Sequence, residues 1–237
     1  MIVGGLPSGS RARFSRKREN QGGEPLVRSR VAVGGRWSPV RPTATARGVY
    51  HIHTTRSDGT GSVDEVALAA GRARLDFIVV TDHGDGTRTV DPPRYVGNVL
   101  VVDALEASTK LGHATVLGLT RAAPYRLAGW PDDVVEDVTR WGGVAFAAHP
   151  DSPRASLSWR DWDAPLQGFE WLNADSEWRD EPRWTVARVL ASYPWRPAES
   201  LASLLDRPHA TLARWDRWSS EGRYLVTLAG ADAHARL

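Results

Sequence analysis

The chain has 237 residues, of which 41% are hydrophobic and 24% charged, values typical of a globular domain rather than of a fibrous or disordered protein. It contains no cysteine, which excludes disulfides, thiolate metal sites and a cysteine nucleophile, so that histidine and carboxylate side chains must hold any metal. No apolar stretch approaches the roughly 18 residues of a membrane span and no secretion signal is visible, so we expect no membrane span and take the cytoplasm as the default location.

Residues 1–47 form a basic segment rich in glycine, proline, arginine and serine. The segment holds 10 of the 30 Lys and Arg residues but only two acidic residues, Glu19 and Glu24, so its net charge is about +8 and that of the remainder about −6. Apart from a short apolar run at 31–33 that fits an edge strand, it has no sustained hydrophobic period. We expect a poorly ordered, solvated leader, with nucleic acid or anionic lipid contact through 11–18 as the alternative.

From residue 48 onward, short apolar runs alternate with helical patterns. Seven runs have the length and composition of strands: 49–53, 77–81, 99–104, 114–119, 144–148, 168–172 and 224–229. A capping box of Ser62 and Glu65 predicts a first helix that ends near Gly71. A second helix is predicted from Pro131 to the glycines that follow Trp141, and later helices at 185–192, 197–205 and 208–219. Strands alternating with helices indicate a single α/β domain with a parallel sheet over 48–237.

Histidines and carboxylates follow the apolar runs, at the points where five predicted strands end. They are His51 and His53, His83, Glu106, His149, and Asp232 with His234. In a barrel of parallel strands these ends share one rim, where catalytic groups converge. His51 and His53 lie two residues apart on a strand, so both side chains point to the same face, as two ligands of one cation require.

Each of these residues alone also has an ordinary structural explanation. A single histidine at a strand end is more often a hydrogen-bonded residue than a ligand. Asp58 lies in a common turn sequence, and either Glu106 or Asp103 fits a buried, paired carboxylate without a metal. The joint occurrence at five strand ends has no packing explanation and favours one convergent metal site.

Together these residues resemble the successive motifs of the PHP (polymerase and histidinol phosphatase) superfamily. The motifs, in chain order, are His51-Ile52-His53-Thr54 with Ser57-Asp58-Gly59, Thr81-Asp82-His83, Glu106, Gly112-His113, Ala148-His149-Pro150 and Ala231-Asp232-Ala233-His234. The segments at 159–162 and 170–178, rich in tryptophan, are further similar to the CehA/McbA-like branch, which includes a carbaryl hydrolase.

The resemblance implies a distorted (β/α)7 barrel with two or three divalent cations, Mn, Zn or Fe, at the C-terminal rim of its strands. It implies a first cation held by His51, His53, Glu106 and Asp232. Glu106 then bridges to a second cation, which His113 and His149 also bind, and Asp58, His83 and His234 hold a third. Some relatives have histidine at the position of Asp58. We expect Glu106, Asp232 and His234 to contribute most directly to catalysis.

Other residues near the predicted rim fit roles around the substrate and the ligands. Arg56 and Arg154 lie in loops after the first and fifth strands, where a guanidinium group is placed to bind phosphate, although simple solvation explains them equally well. Trp159 and Trp171, with Trp162 and Trp178, are candidates for an aromatic wall, with loop packing as the alternative. Thr81 and Asp82 are expected to orient neighbouring imidazole rings.

The function implied is hydrolysis of a small-molecule or nucleotide phosphate ester, a monoester or diester, by a hydroxide that bridges the cations. Carboxylic ester or carbamate hydrolysis of the carbaryl-hydrolase type is the second hypothesis. A non-catalytic PHP accessory module is the third. The chain ends three residues after His234, which leaves no helix after the last strand, so we expect a domain truncated at its C-terminus.

Overall fold

The structure of the chain is a computed structural model that describes residues 45–223 and 225–234. The predicted leader at 1–47, including its edge strand at 31–33, therefore lies outside the described residues except for its last three. Residue 224, the first of the last predicted strand, also lies outside them.

The described residues contain nine strands. They are β1 (Gly48–Ile52), β2 (Phe77–Val80), β3 (Arg94–Val96), β4 (Val99–Asp103), β5 (Leu105–Thr109), β6 (Gly112–Leu117), β7 (Val144–Ala147), β8 (Gly168–Asn173) and β9 (Val226–Ala233). Seven of these overlap the predicted strands. The additional two, β3 and β5, are short strands without a continuous apolar run.

Six helices accompany the strands in the described part of the chain. They are α1 (Val63–Arg72), α2 (Pro131–Arg140), α3 (Ala174–Asp180), α4 (Arg183–Ser192), α5 (Pro197–Ala202) and α6 (His209–Ser220). The capping box forms as predicted, because the Ser62 side chain accepts from the Glu65 N–H while the Glu65 carboxylate accepts from the Ser62 N–H. Across the residues that the structure covers, no helix has both the length and the apolar character needed to cross a membrane.

The strands form one mixed sheet in the order β3-β4-β2-β1-β9-β8-β7-β6-β5. The central pairs are parallel, whereas β3 pairs antiparallel with β4, and β6 pairs antiparallel with both β5 and β7. The prediction of an α/β sheet with helices is confirmed, whereas the predicted parallel sheet is corrected to a mixed one. The closed (β/α)7 barrel is not shown, because antiparallel strands replace some βα units and the ladders described leave β3 and β5 as the ends of the sheet.

One end of this sheet, β5, nevertheless approaches the residues after β2 near the candidate site. Only Ala104 separates β4 from β5 along the chain. Beyond the end of β2, the Glu106 N–H donates to the Asp82 carbonyl at 3.1 Å and the Gly84 N–H donates to the Glu106 carbonyl at 3.0 Å. These bonds fix the position of Glu106 beside the residues that follow β2.

Apolar helix faces cover the sheet and hold the strands in register. α1 packs through Ala67 and Ala70 in a cluster with Ile52, Ile78 and Val99. α2 contributes its valines to a larger cluster that includes Phe169 and Trp218. Burial of each large apolar side chain stabilises the fold by about 1.5–3 kcal/mol, so these clusters provide a rigid support for the polar residues at the strand ends.

Candidate metal centre

The structure brings all nine predicted ligand residues together. They form four overlapping groups in which one donor atom from each residue lies within 4.8 Å of the others: His53, Asp58, His83 and His234; His51, His53 and Asp232; His51, Glu106 and His149; and His83, Glu106 and His113. The groups share His51, His53, His83 and Glu106. The cluster therefore has the donor set and the overlap that adjacent cations require.

The innermost donors lie at distances typical of ligands around one cation. His51 Nε2 is 3.2 Å from His53 Nε2, 3.3 Å from Glu106 Oε2 and 3.4 Å from Asp232 Oδ1. His53 Nε2 is also 3.2 Å from Glu106 Oε2 and 3.1 Å from Asp232 Oδ1. Neighbouring ligands of a cation with bonds of about 2.0–2.2 Å lie roughly 3 to 3.5 Å apart.

Hydrogen bonds alone do not explain this convergence. One imidazole nitrogen carries at most one hydrogen, yet His51 Nε2 has three polar neighbours. Two ring nitrogens, from His51 and His53, also approach each other while both point at the same two carboxylates. The nitrogen and oxygen donors thus fit a divalent cation of the Mn, Zn or Fe type.

Glu106 lies at the centre of the cluster and is buried. Its Oε1 is 2.8 Å from both His113 Nδ1 and His149 Nε2. Its Oε2 is 3.2 Å from His83 Nδ1 as well as from His53 Nε2. One carboxylate therefore contacts histidines from several strands, the arrangement expected of a ligand shared between two cations.

The group around Asp58 is more open to solvent than the others. Asp58 Oδ2 is 3.3 Å from His234 Nε2, and Oδ1 is 3.5 Å from His53 Nδ1 and 3.8 Å from His83 Nε2. The Asp58 and His83 side chains are 42% and 37% exposed, whereas His51 and His53 are fully buried. This outer group has longer separations than the inner donors.

Opposite charges in the cluster shift its protonation equilibria. Burial disfavours the charged form of His51, but Glu170 and Glu106 outweigh that effect and raise the pKa of His51 well above its usual value. Burial also opposes protonation of His53, while contacts with Asp232 and Glu106 raise its pKa from 6.5 to about 9. Burial would raise the pKa of Glu106, but His51 and the other neighbouring histidines hold it well below its usual value. Protonated imidazoles therefore balance the carboxylates in the metal-free chain.

We expect the metal-free chain to lose stability as the pH rises from 6.5 to 9. Stabilisation by a group whose pKa is raised on folding is complete below its unfolded value and is lost as the pH passes its folded value, here about 9 for His53. The loss from this group is up to about 3 kcal/mol. Urea unfolding of EDTA-treated protein at several pH values measures it. The cation-saturated chain should show no such loss, and a flat profile for the metal-free chain would contradict the expectation.

Backbone strain is concentrated at three of the ligand positions. His51, His149 and Asp232 have positive φ angles of 66°, 30° and 49°, in a backbone region that residues other than glycine rarely adopt. At His51 the register of β1 shifts against both β2 and β9, as expected of a bulge. The backbone therefore departs from regular strand geometry at these residues. Backbone strain of this kind is concentrated at functional sites in proteins.

Glu170 is a buried residue of the site that the sequence analysis did not identify. Its Oε1 lies 2.6 Å from His51 Nδ1, and its Oε2 accepts from the His149 N–H at 2.7 Å and from the Asn173 side-chain amide at 2.9 Å. A carboxylate on Nδ1 keeps the hydrogen there and leaves Nε2 free to bind a cation. The sequence signal that could have identified Glu170 is the presence of an ionisable residue inside the apolar run at 168–172.

Neither Asp82 nor Thr81 forms a direct hydrogen bond with an imidazole ring among the described residues, so the orienting role predicted for both is not shown. Asp82 accepts hydrogen bonds of 2.6 Å from the Thr54 N–H, the Thr54 hydroxyl and the Ser57 hydroxyl. It thereby holds the loop that leads from His53 to Asp58. The buried Thr81 hydroxyl has no hydrogen-bond partner among the described residues.

A cleft of about 520 Å³ opens onto the metal centre. Its lining includes seven of the candidate ligands and, from the surrounding loops and α3, Arg154, Leu157, Asp175, Trp178 and Arg179. The volume falls within the range of about 300–1,000 Å³ that small-molecule sites occupy. Arg154 and Trp178 are the predicted substrate residues on this lining.

The other predicted substrate residues lie elsewhere. Trp159 is 2% exposed and packs in the core, and Trp171 packs against the same apolar cluster. Arg56 forms ion pairs with Asp91 and Asp103. The expectations for Trp159 and Trp171 as an aromatic wall are corrected because both indoles support the core, and that for Arg56 because two carboxylates engage its guanidinium group.

Asp103 connects the loop that carries Asp58 to the loop that follows His83. Its carboxylate accepts from Arg56 Nη1 at 3.2 Å, from Arg88 Nη1 at 2.9 Å and from the Asp91 N–H at 2.7 Å. The residue is buried at the end of β4. These bonds restrain both loops at the outer part of the metal centre.

We expect Asp103→Asn to destabilise the protein by about 1–3 kcal/mol, because a neutral amide removes the charge and one accepting oxygen of the buried carboxylate that these donors share. Urea unfolding measures the change. The matched control is Asp64→Asn, which breaks the exposed ion pair of Asp64 with Arg94 and should cost less than about 1 kcal/mol. Equal effects of the two substitutions would show that Asp103 does not hold the loops.

The fold resembles that of solved structures at low sequence identity. A candidate metal-dependent phosphoesterase from Bifidobacterium adolescentis ATCC 15703 is similar with a TM-score of 0.51 and 12% identity over 81% of this chain and 89% of that one. Weaker similarities are found to an amidohydrolase from Chromobacterium violaceum (TM-score 0.49, 14% identity, 80% of this chain and 88% of that one). A third similarity is to a two-domain protein from Bacteroides vulgatus ATCC 8482 that contains a predicted PHP-like metal-dependent phosphoesterase. The TM-score is 0.41 and the identity 14%, over 80% of this chain and 52% of that one. The first similarity shows a shared fold.

Sequence comparison provides the family. No protein-family profile matches the chain. The chain is 32% identical over 140 residues to the uncharacterized protein MJ1587 of Methanocaldococcus jannaschii, a match that spans 52% of this chain and 80% of that protein. At this identity and coverage, the chain belongs to the same protein family as MJ1587.

Proposed function

We propose that the chain is a metal-dependent hydrolase of the PHP type that cleaves phosphate monoesters or diesters of small molecules. The observation that carries the proposal is the convergence of four overlapping donor groups on one cleft. The fold shared with a candidate metal-dependent phosphoesterase supports it. We further propose that the fold closes into a barrel and that the chain belongs to the CehA/McbA-like branch. Residues 1–47 are proposed to form a basic leader.

We divide the ligands among the cations as the resemblance to the PHP superfamily implies. His51, His53, Glu106 and Asp232 would hold the first cation, and Glu106, His113 and His149 the second. The outer group of Asp58, His83 and His234 would hold a third. The greater exposure and longer separations of the outer group are consistent with weaker binding there.

The chain's own residues would position the reactants and balance the charge. Bound cations would lower the pKa of a water ligand and neutralise the oxygens of the phosphate. Glu106 and Asp232 remain ionised, because neighbouring histidines overcome the effect of burial and lower the pKa of both carboxyls. Glu170 holds His51 in the tautomer that ligation requires. Arg154, on the lining of the cleft, is placed to donate hydrogen bonds to phosphoryl oxygens.

The proposal is tested by a substrate panel with Mn-, Zn- or Fe-loaded protein. We expect turnover of p-nitrophenyl phosphate or bis-p-nitrophenyl phosphate, and loss of turnover after treatment with EDTA. Turnover of p-nitrophenyl acetate or an aryl carbamate with both phosphates untouched would replace the proposal by carboxylic ester or carbamate hydrolysis. Elemental analysis that finds less than one cation per chain after loading would instead indicate a non-catalytic accessory module.

A further inference from the structure

One wall of the cleft is formed by α3 and carries an exposed aromatic ring. Trp178 lines the cleft together with Asp175 and Arg179, and 43% of Trp178 is exposed. Leu157 and Arg154 extend the same lining from the loop after β7. The metal centre thus shares its cavity with an indole ring and two guanidinium groups.

Trp178, Asp175 and Arg179 form one connected unit on consecutive turns of α3. The Trp178 Nε1–H donates to Asp175 Oδ1 at 2.8 Å, and Arg179 Nε–H donates to Asp175 Oδ2. The Arg179 guanidinium lies 4.7 Å from the centre of the Trp178 ring. Because the ring is already held in place, a ligand that stacks on it loses little additional side-chain entropy on binding.

The exposure of Trp178 is not explained by its polar atom. Asp175 satisfies the indole N–H, so solvent is not needed as its acceptor. Trp159 belongs to the core and Trp162 and Trp171 pack against it, which leaves Trp178 as the tryptophan on the described lining of this cleft. An aromatic face beside a cationic centre suits a ligand that is aromatic at one end and anionic at the other.

We propose that Trp178 is the specificity-determining platform for the organic part of the substrate, and that the substrate is a phosphate ester that carries an aromatic ring. A nucleoside phosphate and an aryl phosphate share this chemistry. The phosphate part of the inference rests on the proposed function. The aromatic part concerns the leaving group and applies to whichever bond is cleaved.

Two matched pairs of substrates isolate the contribution of the ring. Adenosine 5′-monophosphate and ribose 5-phosphate share the scissile bond and differ in the base, whereas benzyl phosphate and cyclohexylmethyl phosphate differ in aromaticity. Stacking of a base on an aromatic side chain corresponds to roughly a 10- to 100-fold preference. We expect cation-loaded protein to show that preference in kcat/KM for the aromatic member of at least one pair, and the pair that shows it distinguishes a nucleoside from an aryl group.

Substitutions then assign the preference to Trp178. Trp178→Ala should abolish it while it changes kcat/KM for the aliphatic member less than roughly threefold, and Trp178→Phe should retain most of it. The control Trp184→Ala removes an exposed tryptophan on α4 and should leave the preference unchanged. Equal losses for both members of a pair, or no preference in the unsubstituted chain, would overturn the inference.

A binding measurement keeps the two proposals separate. If the cation-loaded chain hydrolyses none of the four phosphates, the phosphate-ester function is wrong. Calorimetric dissociation constants for adenosine 5′-monophosphate and ribose 5-phosphate then still test Trp178. Tighter binding of the nucleotide that is lost in Trp178→Ala would support the platform, and equal affinities would overturn it.

Discussion

Glu106→Gln is expected to reduce turnover by about 10³-fold or more and to remove at least one cation per chain. The glutamate contacts histidines of all four donor groups, and its replacement deprives adjacent cations of the carboxylate they would share. Cations contribute several kcal/mol of transition-state stabilisation, and about 4 kcal/mol corresponds to the stated factor. Elemental analysis of the loaded variant and kcat/KM on its best phosphate ester measure the two effects.

Two comparisons make the Glu106 result specific. Glu136→Gln makes the same chemical change at an exposed position on α2 and should leave both metal content and turnover unaltered. Circular dichroism and urea unfolding of Glu106→Gln establish that the variant folds. A folded variant that retains full metal content and activity would refute the shared role of Glu106.

Glu170→Gln is expected to weaken cation binding by about 10- to 100-fold, although Glu170 would not touch the cation itself. The glutamine oxygen can still accept from His51 Nδ1–H. The glutamine NH₂ group, a donor, would then face the His149 N–H and the Asn173 side-chain amide. Both of these are also donors, which donate to the native carboxylate. Competition with a metal-binding dye measures the affinity of the loaded site.

The position of the defect tests this explanation. We expect the tightest cation, the one bound through His51, to be affected most, because Glu170 holds that imidazole. Asn173→Ala keeps the carboxylate and should reduce the affinity less than Glu170→Gln does. Unchanged affinity in Glu170→Gln would mean that packing alone orients His51.

The sequence predicted those parts of the fold that have a strong apolar signal. All seven strands with apolar runs are present, since strands buried by helices require such runs. β3 has three residues and is mostly exposed, and β5 alternates apolar and polar residues around Glu106, so neither has that signal. α3 begins at the Asn173 cap but carries no apolar period, because it serves the cleft rather than the core.

The candidate metal ligands could be predicted from the sequence, whereas the residues that hold the ligands and their loops in place could not. Histidine is rare in the chain, so its position after apolar runs indicates a function directly. The role of Glu170 depends on contact with His51, 119 residues earlier, and that of Asp103 on Arg56, 47 residues earlier. Arg56 lies on the predicted rim by sequence position, but its carboxylate partners come from other strands and loops and leave no local pattern.

The left-handed backbone at His51, His149 and Asp232 has a consequence for laboratory evolution. Glycine adopts this conformation without the steric cost that other residues carry, so it would relax each strand end while deleting a donor. In the folded chain that relief is offset, because removing His51 or His149 leaves the buried carboxylates of Glu106 and Glu170 without a counter-charge. Libraries that are screened for higher thermal stability should therefore keep these three positions unchanged. Recovery of glycine at any of them would indicate that selection for catalysis has been lost.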